Sequence, residues 1–181
     1  MVSREQQWRT TQATIAQKRT DHAWSVSDAV EPDANGNTRD CVTASLTALF
    51  GVEAVNCSKK DILRLVQELF PAIFQLASNA KCDIAIPSSA TDFMWEIERH
   101  DCIGGLIFVD SMYGASGHMI AVVPTWPSGY STRGYHVVDK RDEAVRKKLC
   151  TAEELLSYYS LAEIMESDHQ KRRMIFLLHN K

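Results

Sequence analysis

The chain has 181 residues, of which 45% are hydrophobic and 24% charged, with 8 Gly and 5 Pro. That length and balance fit one good-sized globular domain and exclude collagen-like, linker-rich and low-complexity chains. Its 20 basic and 23 acidic residues leave a formal net charge of −3, so no overall field draws it toward nucleic acid or anionic lipid.

Residues 4–20 can form a helix with a thin apolar stripe, Trp8 and Ile15. Residues 1–30 are accordingly expected to be an N-terminal arm, or a helix packed on the core, ahead of a single domain over 31–181. Residues 25–40 read as loop, because Pro32-Asp-Ala-Asn35-Gly-Asn37 is rich in turn formers. A helix then begins near Asp40: Val42, Leu46, Leu49 and Phe50 recur at helical spacing, and Gly51 supplies the stop. Ser58 and Asp61 mark the start of a second helix, which Pro71 is expected to close. Ser89 and Asp92 start a third, running from Phe93 to about His100.

The pattern then changes period. Leu106–Val109, His118–Val123 and Tyr135–Val138 are short and rich in β-branched residues, and Gly, Ser and Pro clusters separate them. They predict three strands of an antiparallel meander. Thr151 and Glu154 open a last helix through about Met165, and Met174–Leu178 predicts a closing strand. Helices first and then a mostly antiparallel sheet is the pattern of an α+β domain. Neither GxGxxG nor GxxxxGK[ST] is present to suggest a nucleotide-binding sheet.

The five cysteines, Cys41, Cys57, Cys82, Cys102 and Cys150, are odd in number and widely spread, with no CxxC pair. A secreted disulfide framework and a tetrahedral zinc site both call for other spacings, so most of them read as small buried hydrophobes in a reducing compartment. No metal and no organic cofactor is expected. The longest apolar runs are about five residues against the roughly 20 needed to span a bilayer. The start, Met1-Val-Ser-Arg-Glu-Gln-Gln-Trp8, lacks the apolar segment of a signal peptide. A cytoplasmic location is the default expectation, with delivery into another cell left open.

Asp40-Cys41 stands where a polar loop meets an apolar helix. A thiolate there faces the unpaired N–H groups and the positive end of the helix dipole, which favours a nucleophilic Cys; a small core residue is the bland alternative. Gly117-His118 opens a strand, and Asp139 ends another. If those strands are hairpin neighbours, Asp139 can orient the His118 imidazole. The compact trio His100-Asp101-Cys102 is the less convincing arrangement, because sequence neighbours seldom face one another. His136 lies three residues before Asp139 and points to the opposite face of a regular strand, so His118 is preferred. A thiol on a helix N-terminus, a His and an acid together meet the needs of nucleophilic acyl transfer. The basic clusters Lys140-Arg141, Arg146-Lys-Lys148 and Lys171-Arg-Arg173 read as solvated faces, so nucleic acid is not an expected partner.

The chain resembles the papain-like cysteine peptidases, and in style the compact bacterial branch with the bacteriocin leader-processing peptidases and related effector proteases. The residues that carry the resemblance are Asp40-Cys41-Val-Thr-Ala-Ser-Leu46, Gly117-His118-Met-Ile-Ala-Val-Val123 and Tyr135-His-Val-Val-Asp139. Their order, Cys then His then Asp, is the family's. The resemblance implies a papain-like fold and a thiol-dependent hydrolase that cleaves a peptide or isopeptide bond in a protein or peptide substrate. Deamidases and transglutaminases use the same machinery, and a partner-binding domain without activity is the non-enzymatic alternative. The family places a Gln six residues before the Cys to complete the oxyanion hole; Asn35 stands there in this chain, with Asn37 a second candidate. Trp126 and Tyr130, between the His and Asp strands, are candidates for lining a substrate cleft.

Overall fold

Strand residues that face two different apolar layers in alternation set the architecture. A computed structural model describes residues 1–28, 40–51, 62–109, 118–126, 133–139, 142, 144–145, 148–166 and 174–181. Six strands, β1 (Cys82–Ala85), β2 (Cys102–Val109), β3 (His118–Thr125), β4 (Gly134–Val138), β5 (Leu149–Cys150) and β6 (Met174–Asn180), form one sheet in the order β1-β6-β2-β3-β4-β5. Every neighbouring pair is antiparallel. Leu106, Phe108, Met119, Ala121 and Phe176 face one layer, made by helices α1 (Arg4–Asp28), α2 (Asp40–Phe50) and α3 (Ile62–Asn79). Ile107, Ile120, Val122, Val137 and Ile175 face the other, made by α4 (Ala90–Glu98), α5 (Ala152–Tyr158) and α6 (Leu161–Glu166). The domain is α+β, and its central strands read as near-continuous apolar runs because neither face meets water. Among the described residues no helix is long and apolar enough to cross a membrane.

The expected meander is present as β2, β3 and β4. β1 and β5 have no counterpart among the expected strands: they are four and two residues long, and neither carries a β-branched run. α1 reaches Asp28, well past residue 20. Its buried stripe is Ala16, Thr20, Ala23 and Trp24. Three of these are small or polar, which is why hydropathy gives so thin a signal, and small residues let α1 lie close against α2 and β3.

Pro71 does not close α3, which continues to Asn79. An interior proline costs about 3 kcal/mol through its lost hydrogen bond and ring clash. The later half of the helix offsets that cost, since it buries Ile73 and Ala77, one turn apart, in the core. The expected single helix after Thr151 is two. The capping box of Thr151 and Glu154 is formed, but Tyr159 caps α5 and Ser160 has φ +50 before α6 begins.

Two glycines fix α2. Gly51 ends it at φ +67, its N–H donating to the Thr47 carbonyl at 2.9 Å. Gly104 lies at an irregularity in β2 with φ +148. A Cβ on Gly104 would overlap the Leu49 side chain and stand 2.6 Å from the Val122 carbonyl oxygen. Only a glycine lets the Leu49 end of α2 settle onto β2 and β3 at this depth.

These two sites separate backbone strain from steric overlap. Gly51→Ala, which meets open space, is expected to cost about 1 kcal/mol from its positive φ alone. Gly104→Ala adds a clash with backbone and core and is expected to cost about 3 kcal/mol or more, as read by urea denaturation.

Candidate active site

Cys41 is the second residue of α2, so it sits in the first turn, whose N–H groups have no partner within the helix. His118 is the first residue of β3, where the strand ends and a side chain can be reached from both layers. Asp139 directly follows β4. The register pairs Ala121 with Val138. Continued by one step, it puts Asp139 opposite Ile120 and diagonal to His118, a separation of roughly 7 Å between Cβ atoms that two polar side chains can bridge.

They do bridge it. His118 Nε2 and Asp139 Oδ1 are 2.6 Å apart. Both residues are 4% exposed and Cys41 is 7% exposed. Burial on its own would lower the His118 pKa, but the hydrogen bond to Asp139 and the nearby Cys41 thiol outweigh it and hold the imidazole above its usual value. Nδ1, the nitrogen turned away from Asp139, makes no hydrogen bond of good geometry among the described residues. The Cys41 thiol is the other group that acts on the ring, and catalytic hydrogen bonds often tighten only as a reacting complex forms.

Beyond Asp139 stands Tyr159, whose hydroxyl donates to Asp139 Oδ2 at 3.1 Å. Burial first, and the adjacent carboxylate second, raise the phenol pKa, so the proton stays on the tyrosine. Sequence reasoning missed this residue. Its only signal is a tyrosine just after a capped helix, which does not reveal that the helix ends against β4.

The structure thus brings Cys41, His118 and Asp139 together. Asn35, Asn37 and Tyr130 lie outside the described residues, as does Cys57. Trp126 lies away from these three residues. It follows the far end of β3, eight residues from His118 and so roughly 26 Å away along an extended strand. There it packs edge-on to Trp8 with centroids 6.1 Å apart, and the guanidinium groups of Arg9 and Arg133 stand over its ring at 4.5 Å and 5.1 Å. Arg133 also donates to the Arg99 carbonyl at 2.7 Å. The cluster anchors the first turns of α1 to the sheet.

The remaining thiols differ in environment. Burial pushes the Cys102 thiol up to about 11, and it also raises Cys82 and Cys150. None of the three has a His at its sulfur among the described contacts, and no described cysteine is in a disulfide. His136 is shifted down by burial, partly countered by Asp21 of α1, and so lies on the α1 side of the sheet. Among the described residues no group of three or more His, Cys, Asp or Glu side chains is arranged to hold a metal.

The site makes a pH prediction. The raised folded pKa of His118 means that the native state favours its protonated form. That contribution to stability is complete below the ordinary value of 6.5 and is lost as the pH rises through the folded pKa. Asp139→Asn removes the main upward influence, so the His118 pKa followed by NMR titration is expected to fall and the acid-side stabilisation to shrink with it.

Comparison of the chain with protein-family models, with curated proteins and with solved structures yields no match.

Proposed function

We propose that this protein is a thiol-dependent hydrolase of peptide or isopeptide bonds, with a papain-like arrangement of a Cys-bearing helix before a β-meander. One observation carries the reading: the buried imidazole of His118 is bonded to Asp139 at 2.6 Å through Nε2 and has Cys41 as its other neighbour. Buried polar groups are costly, and three of them converging from α2, β3 and β4 on one end of an apolar sheet need a purpose.

The proposed roles are these. Cys41 Sγ attacks the carbonyl carbon, and its proton passes to His118 Nδ1. Asp139 accepts from Nε2–H, which fixes the tautomer and stabilises the imidazolium that forms. The first N–H groups of α2 are the proposed backbone donors to the oxygen that becomes negative as the tetrahedral centre forms. Asn35 and Asn37 are the proposed side-chain donors to the same oxygen. His118 then gives its proton to the departing amine, leaving an acyl-thioester on Cys41. A water deprotonated by His118 hydrolyses that thioester, releasing the acid and restoring the thiol. A carboxamide side chain meets the same requirements as a peptide bond, so glutamine deamidation uses these steps unchanged.

Alkylation by iodoacetamide at pH 6 tests the central claim. Cys41 is expected to label well ahead of the other cysteines, as located by peptide mass spectrometry. His118→Ala is expected to slow it by about a hundredfold, in line with the loss of a positioned base. Labelling of Cys41 at the rate of an ordinary free thiol would remove the basis for the proposal.

A further inference from the structure

The Cys41, His118 and Asp139 constellation leaves one polar contact without a role: the hydroxyl of Tyr159 on the second oxygen of Asp139. We propose that Tyr159 is a positioning residue of the site, holding the plane of the Asp139 carboxylate in line with His118 Nε2. The inference rests on the reading of Cys41, His118 and Asp139 as a reacting unit.

A carboxylate at the end of a strand can turn about its terminal torsion, which is broad and roughly two-fold. One hydrogen bond to a histidine leaves the carboxylate plane free to rock about that torsion. In this protein the two oxygens are distinguished: Oδ1 meets the imidazole at 2.6 Å and Oδ2 meets the phenol at 3.1 Å. The carboxylate is gripped at both ends, so turning it breaks two bonds at once. The grip comes from opposite directions in the chain, β3 on one side and the end of α5 on the other.

Tyr159 is itself firmly placed, as a positioning group must be. α5 begins with a reciprocal capping box and ends at Tyr159, whose own N–H donates back to the Leu155 carbonyl at 3.2 Å. Ser160 turns the chain at φ +50 directly afterwards, and the Tyr158 ring packs edge-on to the Tyr159 ring at 4.8 Å. The other titratable groups that act on the phenol are Cys150 of β5 and Asp142. Both disfavour its ionisation, so it remains a donor. Leu155, Leu161, Ile164 and Met165 bury the α5–α6 layer against the sheet. Besides closing that face of the core, the layer is therefore the rigid support of the acid.

The test is Tyr159→Phe, which keeps the ring packing and removes only the donor, with Tyr158→Phe as the paired control. Two readouts bear on it. One is the NMR signal of the proton shared by His118 and Asp139, whose solvent exchange is expected to accelerate about tenfold in Y159F and to stay unchanged in Y158F. The other is iodoacetamide labelling of Cys41 at pH 6, expected to slow by about tenfold, the order found when an outer partner of a ligating or reacting group is removed. If both match the wild type, whatever happens to the melting temperature, Tyr159 only packs and the proposal is overturned. The proton signal does not depend on Cys41, so it decides the role of Tyr159 even where the thiol proves unreactive and the hydrolase reading fails. Should Y159F not fold, 3-fluorotyrosine placed at position 159 keeps ring and hydroxyl while making the donor more acidic; an unchanged proton signal there overturns the proposal equally.

Discussion

An imidazole and a carboxylate are buried at one end of a sheet that is apolar on both faces, and the 2.6 Å bond between them makes that burial tolerable. Either group alone would carry a desolvation cost of several kcal/mol. Together they satisfy one another, and Tyr159 takes the remaining carboxylate oxygen. Much of the surrounding structure can be understood as what this pair requires. β3 and β4 must be neighbours in one register, because a slip of one residue would turn Asp139 to the opposite face. The α5–α6 layer must end where its phenol reaches β4, and α2 must descend far enough for its first turn to meet the ring.

The depth of α2 is set elsewhere. Its apolar residues Val42, Leu46 and Leu49 are each buried, contributing about 1.5–3 kcal/mol apiece to docking the helix. Gly104 provides the space that Leu49 fills. A strand irregularity in β2 therefore makes room for the C-terminal end of the helix that carries the thiol at its start.

What could be read from residues alone was the part governed by local rules. Apolar spacing from Val42 to Phe50 with Gly51 behind it gives α2, and β-branched runs give β2, β3 and β4. The pairing of His118 with Asp139 was legible because a hairpin between those strands leaves few places for the acid to go. Long-range outcomes were hidden. Pro71 reads as a stop, and nothing local announces that Ile73 and Ala77 find core beyond it. Trp126 lies between the His and Asp strands in sequence and at the far end of them in space, because an eight-residue strand separates its two ends by roughly 26 Å. Tyr159 was invisible for the same reason: its partner comes from an element twenty residues earlier, and no period or motif links the two.

Among the described strands β6 comes latest in sequence, yet it is hydrogen-bonded on both sides, to β1 and to β2. During synthesis β2, β3 and β4 emerge well before it, and the edge of β2 that β6 will cover then carries open backbone donors and acceptors beside Leu106 and Phe108. Such an edge is a template for any other extended chain. The sheet therefore cannot be completed in the order in which it is made, and the interval between the appearance of β4 and of β6 is when two nascent copies are most open to pairing with each other instead of with themselves.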